Sequence, residues 1–332
     1  MASIEDVAKK ARVSVTTVSR TLNDHPYVSD KTKKKIYAAM AELDYYPNNI
    51  AQQLRGKASK MIGVIISYIT NPFFAYLVDS IETTALESGY HLVVLQTQGK
   101  HDLEKFYTEM IKKKQLDGII ITNLETATPE IKALIDTGKV VICNRYIGNE
   151  RLPVIHIDEE EASYTGTKYL INQGHKQIAF CTGNVMNTHD RRFKGFSKAL
   201  KEFKLDFDEN LFFEKTLDVE DGRNFLRWFA KQDSIKRPTA VFSNGDQVAA
   251  GIISEAHKYQ INIPEDLSVL GFDDQPIATL TSPEITTIRQ PIQTMGEYAT
   301  KTLIAKLENC PLPANVDLKT EIIHRESVHN LL

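Results

Sequence analysis

The chain has 332 residues, with 40 Lys and Arg against 43 Asp and Glu and a formal net charge of −3. Hydrophobic residues make up 42%, and no apolar run approaches the roughly 20 residues that cross a bilayer, which excludes a helical membrane protein and points to about two or three water-soluble domains. Cys143, Cys181 and Cys310 are odd in number and far apart, which fits neither a disulfide framework nor a Cys-x-x-Cys metal site; no metal and no cofactor is expected. The opening Met-Ala-Ser-Ile-Glu-Asp lacks the basic start and apolar block of a secretory signal, so a cytoplasmic location is expected, and a transport binding protein is not.

The charge is unevenly spread. Residues 1–60 hold 11 basic against 6 acidic groups, a surplus of 5, while the rest holds 29 against 37, a deficit of 8. A basic head on an acidic body suggests that only the head meets a polyanion.

Ser3 and Asp6 have the spacing of a capping box, and Ile4, Val7, Ala8 and Ala11 recur at helical spacing, which predicts a first helix of about nine residues. Ser14 is placed to cap a second helix. With Val18 at zero and steps of about 100°, Leu22 and Val15 fall within about 60° of it and form a buried face. Asn23, Thr16 and Arg20 fall near about 140°, 160° and 200°, on the outward side. A helix entering a major groove needs short side chains near its start, so that the backbone approaches the base edges, and a long donor for guanine O6 and N7. A capped surface helix with chance hydroxyls explains less, because two short helices joined by a tight turn also sit in the basic part of the chain.

A third helix is predicted from near Ser29 through Lys31, Lys33, Lys34 and Lys35, with Ile36, Met40 and Leu43 inward; one or two of these lysines are expected at phosphates. Pro47 and Gly56 then bracket about two helical turns, too short to be stable alone, so this linker is expected to fold on binding.

From Met61 onward strand-like and helical segments alternate. "MIGVII", "HLVVLQT", "GIIIT" and "KVVICN" form one set; "QIAFCTG", "LFFEKTL", "TAVFSN" and "SVLGFDD" form a second of comparable length. Such alternation predicts parallel sheets covered on both faces, and two lobes bind ligands beyond the carboxyl ends of their strands. Those ends carry "YITNPFF", Asn144-Arg145, Asp273-Asp274 and "TTIRQP". Aromatic faces with Asn, Asp, Arg and Gln suit a polyhydroxylated ring.

"SIEDVAKKARVSVTTVSRTLN" together with "AAMAELDYYPNNIAQQLRG" resembles the headpiece and hinge of the lactose-repressor (LacI/GalR) family of bacterial transcription regulators. "NPFF", "GHKQIAF", "RRFKGF", "NGDQVAAG", "PEDLSVLGFDD" and "TTIRQP" extend the resemblance to about Arg325, over a body similar to the fold that the family shares with ribose-binding proteins. The resemblance implies an α/β fold class: an all-α helix-turn-helix headpiece over 1–46, a hinge over 47–59 and a two-lobed, parallel-sheet effector and dimerisation domain over 60–332. Lobe one is expected at about 60–159 and 291–320, and lobe two at about 160–290 with the C-terminus.

By position, Val15, Thr16, Arg20 and Asn23 would face bases and Leu54, with Arg55 beside it, would wedge into a central minor-groove step from each subunit of a homodimer on a pseudo-palindromic operator. Asn71, Phe73, Phe74, Asn144, Arg145 and Gln290 would hold an effector from one side, and Arg192 and Asp273 from the other. In the headpiece Arg12 replaces a common turn glycine, so the backbone there must suit an ordinary residue; two departures bear on the effector, Gly245 in place of a common Asn or Thr and Leu217 in place of a common aromatic ring. Met186 supplies no arginine where the purine-responsive branch has one, so a sugar is favoured over a purine, and paired Arg145 and Arg192 leave a sugar phosphate open. Control by a phosphorylated carrier protein is an alternative within the regulator class. An enzyme is disfavoured, since the common hydrolase, zinc, nucleotide and dinucleotide motifs are missing; His189-Asp190 and Asp273-Asp274 are the acid-base pairs that would have to serve.

Overall fold

The computed structural model describes residues 2–23, 25–46, 58–124, 127–146, 152–183, 186 and 190–332. They fall into two compact units, Met1–Ser59 and Lys60–Leu332.

The first unit contains α1 (Ile4–Ala11), α2 (Val15–Leu22) and α3 (Asp30–Glu42). Ser3 caps α1 by accepting from the Asp6 N–H at 3.2 Å, while the Asp6 carboxylate accepts from the Ser3 N–H at 2.8 Å and is thereby held below the usual carboxylate range. Ser14 and Ser29 cap the next two helices in the same way. Arg12 takes a left-handed conformation, φ 57°, in the turn between α1 and α2, at a cost of about 1–2 kcal/mol for a residue with a Cβ. Val7, Ala8, Ala11, Val18, Ile36 and Ala39 form the core of the unit. One expectation fails here: Val15, the first residue of α2, is not on the buried face but 39% exposed. The buried place belongs instead to Thr21, whose hydroxyl donates to the Thr17 carbonyl at 2.9 Å and so needs no water.

The second unit is built on two sheets. Sheet one has the order β2 (His91–Gln96), β1 (Met61–Ile66), β3 (Gly118–Leu124), β4 (Val140–Tyr146), β5 (Val154–Ile155), all parallel. Sheet two has the order β11 (Glu321–Ile323), β10 (Thr286–Arg289), β9 (Ser268–Asp273), β8 (Ala240–Phe242), β6 (Ile178–Cys181), β7 (Phe212–Phe213). It is parallel except for the antiparallel edge strand β11. Central strands such as β1 and β9 are buried along nearly their whole length, which is why they read as unbroken apolar runs rather than as alternation.

Helices α4 (Pro72–Glu87), α5 (His101–Lys112) and α6 (Pro129–Asp136) accompany sheet one; α7 (Glu159–Asn172), α8 (Arg191–Glu202), α9 (Val219–Ala230) and α10 (Asp246–Ala256) accompany sheet two. The last helix, α11 (Ile292–Glu308), follows a strand of sheet two yet packs on lobe one: the Ser80 hydroxyl on α4 donates to the Gln293 carbonyl at 2.6 Å, and α11 lies on β3 and β4. The chain therefore passes between lobes three times, at 156–158, at 290–291 and between α11 and β11. A single apolar cluster runs through both lobes, from Ile62, Phe74 and Leu77 to Phe180, Phe196 and Phe272.

Candidate functional site

On α2, Val15, Thr16 and Arg20 are exposed, and so is Asn23 at the C-cap, where its side-chain amide donates to the Ser19 carbonyl at 2.7 Å. Short side chains thus open the helix and a guanidinium follows one turn later, without occlusion by the unit's own core. Leu54 and Arg55 lie outside the described residues.

In the second unit the groups that follow the strands form two networks. In lobe one they are neutral: the Asn123 side-chain amide donates to the Ser67 hydroxyl at 3.1 Å, and the Asn144 amide donates to Asn123 Oδ1 at 2.9 Å. Asn144 holds φ 88°, a conformation that asparagine tolerates better than most side chains. Asn71 caps α4, its Oδ1 accepting from the Phe73 N–H at 3.0 Å. Phe73 and Phe74 stand edge to face at 5.3 Å and are only 5% and 6% exposed. Their rings are core at the start of α4, which departs from the expectation that they present open aromatic faces.

In lobe two the network is charged. Arg192 on α8 donates through Nε to Glu159 at 2.9 Å and through a terminal nitrogen to the Asn244 carbonyl at 3.0 Å, and its guanidinium lies 3.8 Å above the Phe272 ring. The close approach of α7 and α8 that makes this possible depends on Gly195, where a Cβ would lie 2.1 Å from the Glu160 carbonyl oxygen. Arg145, at the end of β4, joins the lobes: it donates to Asp190 at 2.9 Å and lies 3.9 Å from Glu159. Glu159, which opens α7, and Asp190, which caps α8, therefore hold both arginines. Sequence reasoning missed these two carboxylates as partners, although each carries the signal of an acid at a helix start.

Asp273 ends β9 at φ 100° and is 8% exposed. Its carboxylate accepts from the Gln290 amide at 2.5 Å and the Gln275 amide at 2.9 Å. Behind it, Asp246 is wholly buried and accepts from the Gln275 backbone N–H and the Thr287 hydroxyl, each at 2.6 Å. Burial pushes both aspartates above the usual carboxylate range; for Asp246 the neighbouring Asp273 charge adds to this, whereas for Asp273 the Arg192 charge opposes it. Gly271 makes room for the arrangement, since a Cβ there would lie 2.1 Å from Asp246 Oδ1. At Gly245 a Cβ would meet Asp273 Oδ2 only at 3.6 Å, so that position has space the sequence leaves unused.

The model of bacterial regulatory proteins of the lacI family matches residues 3–48, and that of a periplasmic binding protein-like domain matches 167–328. The NTD biosynthesis operon regulator NtdR of Bacillus subtilis is 38% identical over 331 residues, covering 98% of this chain and all of its own. The chain belongs to the lacI family. It is thus a DNA-binding transcription regulator and not an enzyme, and His189-Asp190 and Asp273-Asp274 need no catalytic reading. Among solved lacI-family structures, the Lac repressor dimer bound to operator and the anti-inducer ONPF superimposes with a TM-score of 0.83 at 26% identity, covering 99% of both chains. A Lactobacillus casei lacI-family regulator with bound sucrose gives a TM-score of 0.73 at 28% identity, covering 81% of this chain and 99% of its own. The α/β class, with a helical headpiece and a two-lobed parallel-sheet body, agrees with the expectation from sequence.

Proposed function

We propose that this regulator is a repressor of carbohydrate-utilisation genes, acting as a homodimer on a pseudo-palindromic operator and controlled by a small sugar held between the lobes. The observation that carries this reading is the chain of polar groups crossing the lobes, from Asp190 through Arg145 and Glu159 to Arg192, continued by Asp273 and Gln290. Directional donors and acceptors of this density suit a ring with several hydroxyls. The sucrose and anti-inducer bound by the two solved relatives support control by a small molecule.

In this reading Val15, Thr16, Arg20 and Asn23 face the operator, Leu54 and Arg55 enter its minor groove, and Asn71, Asn144, Arg145, Arg192, Asp273 and Gln290 hold the effector. Phe73 and Phe74 back that site from the core. The effector favours one arrangement of the lobes, and a difference of about 1–3 kcal/mol between arrangements suffices to alter operator occupancy. Fluorescence anisotropy of a labelled palindromic operator, titrated with protein at several sugar concentrations, tests this. Operator affinity that stays constant across all sugars removes the effector part, and a monomer on DNA removes the dimer.

A further inference from the structure

We propose that the effector carries no net negative charge, being a polyhydroxylated or amine-bearing sugar rather than a sugar phosphate, and that Gln275 joins Asp273 and Gln290 in an acceptor set that receives its donors. The inference deepens the effector reading above and rests on it.

The argument starts with amide orientation. Gln275 and Gln290 both turn their NH2 groups to the Asp273 carboxylate, which points each amide oxygen elsewhere. Both residues are more than nine-tenths buried, at 4% and 5% exposure, and among the described residues neither oxygen has a hydrogen-bond partner. Buried polar atoms are nearly always partnered, so two orphaned acceptors flanking one carboxylate mark a place where donors are to be supplied from outside the chain. The Gln275 backbone N–H donates to Asp246, which fixes the main chain there, and the side-chain amide is held by its bond to Asp273.

Charge excludes the alternative. Glu159, Asp190 and Asp273 face two guanidiniums, and both guanidiniums are already engaged: Arg145 by Asp190 and Glu159, and Arg192 by Glu159, the Asn244 carbonyl and the Phe272 ring. An incoming phosphate would meet a surplus of carboxylate in a poorly solvated place and would have to displace an acid from an arginine to gain a partner. Hydroxyls satisfy the two amide oxygens without that displacement, and an ammonium also offsets the excess charge.

The test uses the full-length protein in thermal-shift and calorimetric titrations with matched sets: glucose, glucosamine and glucose 6-phosphate; galactose, galactosamine and galactose 6-phosphate; sucrose and sucrose 6-phosphate. The expected result is a ligand among the unphosphorylated members that binds at least tenfold more tightly than its phosphate, and at least tenfold more weakly to Gln275→Met and Gln290→Met. The hydroxyl and amine arms report which donor is preferred. A phosphate that binds more tightly than its parent sugar overturns the charge inference and leaves the effector reading standing. Undiminished binding by both folded glutamine variants, with binding still lost in Arg192→Ala, overturns the acceptor set alone. If no member binds, or if Arg192→Ala and Asp273→Asn also bind unchanged, the effector reading falls and this proposal with it.

Discussion

The headpiece and the body place their candidate functional groups in opposite circumstances. On α2 the side chains assigned to DNA stand exposed, while Val18 and Thr21 hold the helix to its neighbours. In the body the groups assigned to the effector are buried or half-buried and bonded to neighbouring side chains of the protein itself. The difference teaches that specificity and stability are separable in the headpiece and entangled in the body. A groove supplies its own partners to an exposed helix, whereas an enclosed polar site must satisfy its groups internally or leave them short.

That contrast can be broken by substitution, and the largest effect is expected at Gly271→Ala. The added methyl would overlap Asp246 Oδ1 and Ile285, so a loss of about 3 kcal/mol is expected in chemical denaturation. Next comes Asp246→Ala, which leaves the Gln275 N–H and the Thr287 hydroxyl without their acceptor and should cost about 2 kcal/mol. Its pH dependence has a defined sign: the folded-state pKa is raised, so the Asp246 contribution is present in full below the ordinary carboxylate value and is lost as pH rises through the folded value. The stability gap between wild type and Asp246→Ala should accordingly narrow with rising pH above about 4, and a gap that widens would contradict the buried-acid account. Asn144→Ala loses one hydrogen bond to Asn123 and places a methyl-bearing residue at positive φ, for about 1 kcal/mol.

The smallest stability effect belongs to Arg20→Ala, expected within about 0.5 kcal/mol of wild type because the side chain is exposed. Yet specific operator affinity should fall by about 1–3 kcal/mol with relaxed preference at one base pair. A uniform loss on all DNA sequences would instead identify Arg20 as a phosphate contact.

Local chemistry made much of this legible. Caps at Ser3, Ser14 and Ser29 and the apolar runs of the sheets are written within a few residues, and the structure returns them with small shifts. Val15 misled because helical angle ignores position along the axis: a residue that opens a helix can share the buried azimuth and still stand exposed, as Val15 does. The short strands β5 and β11 escaped notice because two or three residues carry too little periodicity to register. Glu159, Asp190, Asp246 and Gln275 were silent for a different reason. The partners of Glu159, Asp190 and Asp246 stand 33, 45 and 41 residues away, as for Arg192–Glu159, Arg145–Asp190 and Thr287–Asp246; Gln275 lies only two residues from Asp273, in a turn where Asp273 and Asp274 both take left-handed conformations, and its backbone N–H reaches Asp246, 29 residues away.

The three passages of the chain between lobes gain meaning from what they carry. Gln290 lies within the two-residue passage that leads into α11, and Glu159 begins the helix that follows the passage at 156–158. One member of the proposed site, Gln290, and the carboxylate that holds two others, Glu159, are therefore mounted at the crossings. On the proposed reading, a ligand that engages either side chain would act where the chain crosses from one lobe to the other, so that a local contact would bear on both lobes at once.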